Sequence, residues 1–215
     1  MDIITTKNIS KSYKDKTILQ NISISFESGY SYVIVGRNGA GKSTFLSILS
    51  GILKPDTGII ETKSKIGFIP QQDILFEELT TKDNINFWLK ASKNNWESIS
   101  PFLNMFGIDI KKKIKNLSGG MKKSVAICCG LIGNPDIIIM DEPFSGLDAV
   151  YKNSLLKSME ELKNQGKTLI YTSHNIDEIV GLHSHIYNLK DATIVYKGES
   201  EKIKDIESLL DIFGV

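Results

Sequence analysis

Nine consecutive residues carry the strongest chemical signal in the chain: Gly36-Arg37-Asn38-Gly39-Ala40-Gly41-Lys42-Ser43-Thr44. Their spacing is G-x-x-x-x-G-K-[ST], in which glycines let backbone N–H groups close around phosphate oxygens. Lys42 brings a point charge for the outer phosphates, and Ser43 a hydroxyl for Mg²⁺. The apolar run Tyr32-Val33-Ile34-Val35 precedes the loop, and Phe45-Leu46-Ser47-Ile48-Leu49 follows it with helical spacing. Strand, loop and helix thus stand in the order the motif requires, and the helix N-terminus adds a dipole that favours an anion. The expected ligand is a nucleoside triphosphate with Mg²⁺.

Two further groups suit the same chemistry. Ile137-Ile138-Ile139-Met140 runs into the acid pair Asp141-Glu142. An acid at a strand end can hold Mg²⁺, and one residue later a carboxylate can polarise a water behind the γ-phosphate. These roles fall to Asp141 and Glu142. Leu117-Ser118-Gly119-Gly120 opens a helical stretch and offers exposed N–H groups plus a hydroxyl, a second anion site far from the first in sequence. If the two lie on different lobes, two chains placed head-to-tail can trap two nucleotides between them. A plain serine N-cap is the other reading of this tetrapeptide.

The elements that must position these groups alternate between strand-like and helix-like patterns, which predicts an α/β fold around a mainly parallel sheet. The first ~30 residues differ: 3–6, 16–19 and 22–26 read as short antiparallel strands. The phosphate-loop helix is expected to end near Gly51, and Pro55-Asp56-Thr57-Gly58 reads as a turn. A strand at 66–69 stops at Pro70. From 79 to 133 no strand pattern appears, and breaks fall at Pro101, Gly107 and Gly119-Gly120. The expected organisation is one domain over 1–215, with an α/β core in 1–75 and 135–215 and an inserted helical subdomain in 76–134. A helix from Ala149 to Gln165 presents Leu155, Leu156, Met159 and Leu162 on one face and stops at Gly166. A strand at 168–171 leads to His174. A hairpin (186–189 and 193–196) and a short terminal helix finish the chain.

With these motifs in order, the chain resembles the nucleotide-binding subunits of ATP-binding-cassette (ABC) transporters over nearly its whole length. The resemblance implies a P-loop NTPase core, with ATP and Mg²⁺ as cofactors. It places Tyr13 where an aromatic stacks on adenine, and Gln71, after Gly67-Phe68-Ile69-Pro70, where a glutamine contacts Mg²⁺ and the attacking water. It makes Leu117–Gly120 the signature that completes the other subunit's site. Ser145-Gly146-Leu147-Asp148 matches a loop that touches the opposite subunit, and His174 the histidine that contacts the γ-phosphate. The implied catalytic set is Glu142, His174, Gln71 and Lys42, with Ser43, Gln71 and Asp141 around the metal. The implied partners are a second nucleotide-binding subunit, as homodimer or related heterodimer, and an integral-membrane permease. The protein is then cytoplasmic, held on the inner face of the cell membrane through that permease.

Several residues depart from the family pattern. Met121 follows the signature in place of a glutamine. Ser124 and Cys128-Cys129-Gly130 replace a stretch that usually carries arginine and alanine, and Ala149 replaces a proline. The segment between Gly58 and Ile66 is short, so part of the usual strand-and-helix excursion is expected to be missing. With so short a chain end, no C-terminal regulatory domain is expected. The Asn38-Gly39-Ala40 form of the loop and the short chain look most like exporter-type subunits, which move drugs, peptides, lipids or polysaccharides. An ATPase that drives a membrane partner in mechanical signalling is the alternative.

Composition narrows the classes. There are 26 Lys+Arg against 25 Asp+Glu, a net charge of +1, so the chain lacks the basic footprint of bulk nucleic-acid binding. No apolar run approaches the ~20 residues of a membrane span, and the N-terminus lacks the basic and apolar regions of a secretory signal. Cys128 and Cys129 are adjacent, cannot form an ordinary disulfide, and read as small helix residues. Phe76, Glu77, Glu78, Leu79, Phe87 and Trp88 are the candidate surface for a partly basic helix of the permease, with internal packing of the helical lobe the other reading for Phe87 and Trp88. Lys111-Lys112-Lys113 and Lys115 read as a solvated face. His183 and His185 match no functional position.

Overall fold

A computed structural model describes residues 1–199; the expected terminal helix lies outside the described residues. The chain begins with antiparallel strands β1 (Asp2–Tyr13), β2 (Lys16–Ile22) and β3 (Ser25–Glu27). It then enters β4 (Ser31–Val35), the phosphate loop and α1 (Lys42–Leu49). Strands β5 (Thr57–Thr62) and β6 (Ile66–Ile69) follow. Next come the helices α2 (Thr81–Ala91), α3 (Ser100–Met105) and α4 (Gly119–Gly130). The remainder alternates: β7 (Ile137–Met140), α5 (Ala149–Asn164), β8 (Thr168–Thr172), α6 (Ile176–Val180), β9 (His185–Lys190) and β10 (Thr193–Glu199).

The strands form two sheets. A six-stranded sheet has the order β10-β9-β4-β8-β7-β6. All its pairings are parallel except β10 with β9. The second sheet is antiparallel, with β1 pairing β2, β3 and β5. The central strands β4, β7 and β8 are buried along their whole length, as parallel strands covered on both faces must be. Alternation along β7 sends Ile137 and Ile139 into a core shared with α1 and the antiparallel strands. Ile138 and Met140 enter the opposite core, built with residues of α2, α3, α4 and α5. The large sheet is thus held between two apolar layers.

Helix α5 keeps the predicted face: Leu155, Met159 and Leu162 are buried, and Gly166 takes up the left-handed turn at φ 83° just past its end. Three local expectations are corrected. Thr57-Gly58, expected in a turn, opens β5, which occupies 57–62 and pairs Ile4–Ser10 of β1. Strand β2 runs through to Ile22, and the break falls at Ser23-Ile24 rather than after Leu19. A short helix, α6, stands between β8 and the hairpin, where no helix was expected.

Candidate nucleotide-binding site

The register of the large sheet gathers the site. Ile34 of β4 lies beside Thr172 of β8, Tyr171 beside Met140 of β7, and Met140 beside Ile69 of β6. The chain therefore leaves four neighbouring strands at one edge, and the next residues are Gly36, Ser173-His174, Asp141-Glu142 and Pro70-Gln71. Open α/β sheets bind ligands at this carboxyl edge.

Gly41 caps α1 at φ 106°. Gly36 has φ 150°, and a Cβ there would run into the Leu189 carbonyl oxygen, so the first turn of the loop accepts no side chain. Arg37, Asn38 and Gly39 are exposed, and Ala40 is half-buried. Lys42 is buried, and its ammonium donates to the carbonyls of Gly36 at 2.9 Å and Arg37 at 3.2 Å. Burial lowers its pKa from the ordinary 10.5, against the opposing pull of the Glu142 and Asp141 carboxylates. Ser43 is exposed and Thr44 half-buried on the first turn of α1. A cavity of about 450 Å³ opens beside Arg37–Ala40, lined also by Lys16, Ile18, Gln20, Asn188 and Lys190. Tyr13 is not among its lining residues. It is half-exposed at the end of β1, with the Lys11 ammonium 5.7 Å from its ring centre.

A hydrogen-bonded group forms at the ends of β6, β7 and β8. Gln71 Nε2 donates to Glu142 Oε2 at 2.9 Å. Thr172 Oγ1 donates to Asp141 Oδ1 at 2.8 Å and accepts the Glu142 N–H at 2.6 Å. Asp141 is buried, and its own N–H donates to the Ile69 carbonyl at 2.9 Å. Glu142 is held at φ 45°, a left-handed conformation uncommon outside glycine. Glu142 and His174 line one cavity of about 160 Å³, with Ser145, Lys152 and Asn175 on its other walls. Thr172 escaped sequence reading because a threonine ending a strand carries no motif. Only the pairing of β7 with β8 brings it to the acid pair.

Ser118 and Asp148 sit at helix starts. Ser118 caps α4 by accepting the Met121 N–H at 3.3 Å, so the N-cap reading of the signature is realised. Its hydroxyl proton goes to Tyr151 Oη at 3.0 Å. Gly119 faces open space, whereas Gly120 is buried against the Tyr151 ring. Asp148 caps α5 by accepting the Tyr151 N–H at 3.0 Å. The cavity beside the signature, about 190 Å³ and lined by Leu117, Met121, Ser124 and Tyr151 among others, includes no phosphate-loop residue. Among the described residues, the signature and the phosphate loop line separate cavities.

An apolar groove of about 400 Å³ lies beyond Pro70, lined by Ile52, Phe68, Ile74, Trp88, Ala126 and Pro70 itself. The Trp88 indole N–H is buried and, among the described residues, has no hydrogen-bond partner. Phe76 and Phe87 are exposed and meet edge-on at 4.9 Å. Glu77 and Glu78 are exposed, and each meets a lysine. Lys122 holds Glu77 at 2.6 Å, and Lys115 holds Glu78 at 2.7 Å. The lysines at 111–113 and 115 are exposed. Cys128 and Cys129 carry no disulfide, and burial pushes the Cys129 thiol up to about 12 and that of Cys128 well above its usual value. Both are inert packing groups.

The residues present suit Mg²⁺. The Ser43 hydroxyl, the Asp141 carboxylate and the Gln71 amide oxygen are hard donors, and Gln71 spends its amide nitrogen on Glu142. Among the described residues no three of His, Cys, Asp and Glu cluster as a metal cage.

The family model described as ABC transporter matches residues 19–145. The chain belongs to the ABC transporter family. It is an ATP-hydrolysing cassette of that family, with the fold of an ABC ATPase. It is 37% identical over 206 residues to an uncharacterized ABC transporter ATP-binding protein of Methanocaldococcus jannaschii, covering 93% of this chain and 79% of the relative. It is 31% identical over 220 residues to the lantibiotic transport ATP-binding protein SrtF of Streptococcus pyogenes, covering 97% and 96%. A solved dimeric ATP-binding cassette in a post-hydrolysis state, bound to ADP and Pi, superposes with a TM-score of 0.81 at 26% identity, covering 92% of this chain and 98% of that one. No described helix of this cassette is long and apolar enough to cross a membrane.

Proposed function

We propose that this cassette pairs with a second one, hydrolyses Mg·ATP at sites between them, and drives a separate membrane permease of exporter type. The observation that carries the reading is the Gln71–Glu142 and Asp141–Thr172 group, set at the strand ends beside the phosphate loop. Gly36 to Thr44 bind the phosphates, with Lys42 turning from its own loop carbonyls to the outer oxygens. Mg²⁺, held by Ser43, Gln71 and Asp141, neutralises phosphate charge when bound. Glu142 takes up the proton side of the attacking water, and Gln71 orients the Glu142 carboxylate. His174 contacts the γ-phosphate, and Tyr13 stacks on the base. Ser118, Gly119 and Gly120 complete the partner cassette's site, and Asp148 lies at the same junction. The helical part, 76–134, acts as a lobe of its own within the single domain. ATP closes the pair, and hydrolysis removes the contacts that hold it closed.

The apolar groove beyond Pro70 is where the permease docks. Its lining of Ile52, Phe68, Pro70, Ile74, Trp88 and Ala126 suits an apolar segment of the permease. The cargo class is proposed as amphiphilic drug, peptide, lipid or polysaccharide. The loop sequence at 38–40 and the likeness to a lantibiotic transport protein support it. Purification from native membranes in mild detergent tests this. A multi-span protein with a substrate cavity should accompany the cassette. A few-span protein with a large extracytoplasmic domain, or only soluble partners, contradicts the exporter.

A further inference from the structure

Tyr151 stands where two elements of the site meet. Its N–H is held by the Asp148 carboxylate at 3.0 Å, its ring lies under Gly120, and its hydroxyl is 3.0 Å from Ser118 Oγ. A Cβ on Gly120 would clash with the ring at Tyr151 Cγ, so the glycine and the tyrosine are fitted to each other. Neither contact follows from the signature alone.

The hydrogen-bond inventory of Ser118 gives the contact a consequence. A serine hydroxyl has one proton and two lone pairs. One lone pair accepts the Met121 N–H, and the proton is spent on Tyr151 Oη. A phosphate oxygen arriving on the open Gly119 side competes for that proton and wins it, because a bond to an anion is roughly twice as strong as a neutral one. The phenol can then reverse direction and donate its own proton to the second Ser118 lone pair, which was unused before. Ser118 ends with both lone pairs and its proton used, and the chain phenol to serine to phosphate is cooperatively strengthened.

We propose that Tyr151 is a positioning residue whose hydroxyl aims the Ser118 hydroxyl at the γ-phosphate of the nucleotide bound by a second cassette. The assignment rests on the closure of two cassettes described above. Through Asp148, it also makes the aim of Ser118 depend on the loop at 145–148.

The test is ATP-driven dimerisation, followed by light scattering against Mg·ATP concentration in a Glu142→Gln background that retains nucleotide. Tyr151→Phe keeps the ring under Gly120 and removes only the hydroxyl. It should raise the ATP concentration for half-maximal dimerisation roughly three- to tenfold, the loss of about one hydrogen bond. Ser118→Ala should give at least the same shift, and adding Tyr151→Phe to it should change nothing further. That non-additivity is what a merely structural tyrosine does not produce. An unchanged or lowered midpoint in Tyr151→Phe, or additive effects, overturns the assignment alone. A Glu142→Gln parent that stays monomeric at saturating ATP overturns the closure itself, and the assignment with it.

Discussion

Lys42 and Thr172 show how single residues are set for charge before any ligand arrives. Lys42 is buried against its own loop carbonyls, and desolvation holds its pKa below 10.5. The unfolded chain therefore binds more protons in the alkaline range just below 10.5, and this group's cost to folding is relieved as pH rises through it. Phosphate reverses the balance by favouring the charged amine. Nucleotide binding should take up protons in that range, and affinity should fall as pH rises through the lowered pKa. Calorimetry in two buffers of different ionisation enthalpy reads the uptake; equal heats in both would deny the shift. Thr172 serves both acids of the pair at once. Thr172→Val leaves the Glu142 N–H and Asp141 Oδ1 without that hydroxyl. It should cost about 1–3 kcal/mol in denaturant unfolding and weaken the Mg²⁺ dependence of turnover, with Thr172→Ser restoring both. A variant as stable and active as the parent would remove Thr172 from the site. The phosphate loop, the acid pair and the signature were legible because each is contiguous and each has a type-and-spacing reason. Thr172 and Tyr151 were not, because their partners lie 30 and 33 positions away and only strand register and helix docking bring them close.

At the scale of elements, what is hidden from sequence is how helix α4 is tied to the segment after β6. Lys123 is buried, and its ammonium sits 2.5 Å from Asp73 and 3.1 Å from the Gln71 carbonyl. A move of α4 is thereby felt at Gln71, which also bonds Glu142. Removing one partner of a buried pair strands the other charge, so Lys123→Met should cost roughly 3–5 kcal/mol, and Lys123→Met with Asp73→Asn should regain most of it. Denaturant unfolding of the single and double variants checks this; an undiminished loss in the double would mean the lysine acts alone. Sequence reading found the buried strands β4, β7 and β8 because parallel strands covered on both faces show as continuous apolar runs. It missed β5 because that strand is exposed along nearly all its length and is defined only by pairing with β1. The short helix α6 escaped for a related reason: five residues are too few to show a helical period.

For the whole molecule, the sheet edge supplies phosphate loop, acid pair, Gln71 and His174, while the signature opens on a different cavity. In the proposed pair, each chain would present half of each of two sites. The solved relative bound to ADP and Pi is a dimer. In the proposed reaction Glu142 is the base, and the phosphate loop holds the nucleotide. The direct test is steady-state hydrolysis beside ATP binding in Glu142→Gln, which keeps an oxygen for Gln71 and loses the basic carboxylate. Turnover should fall ~10²-fold or more with ATP affinity retained. Turnover near that of the parent, or a loss explained by failed ATP binding, would contradict the account.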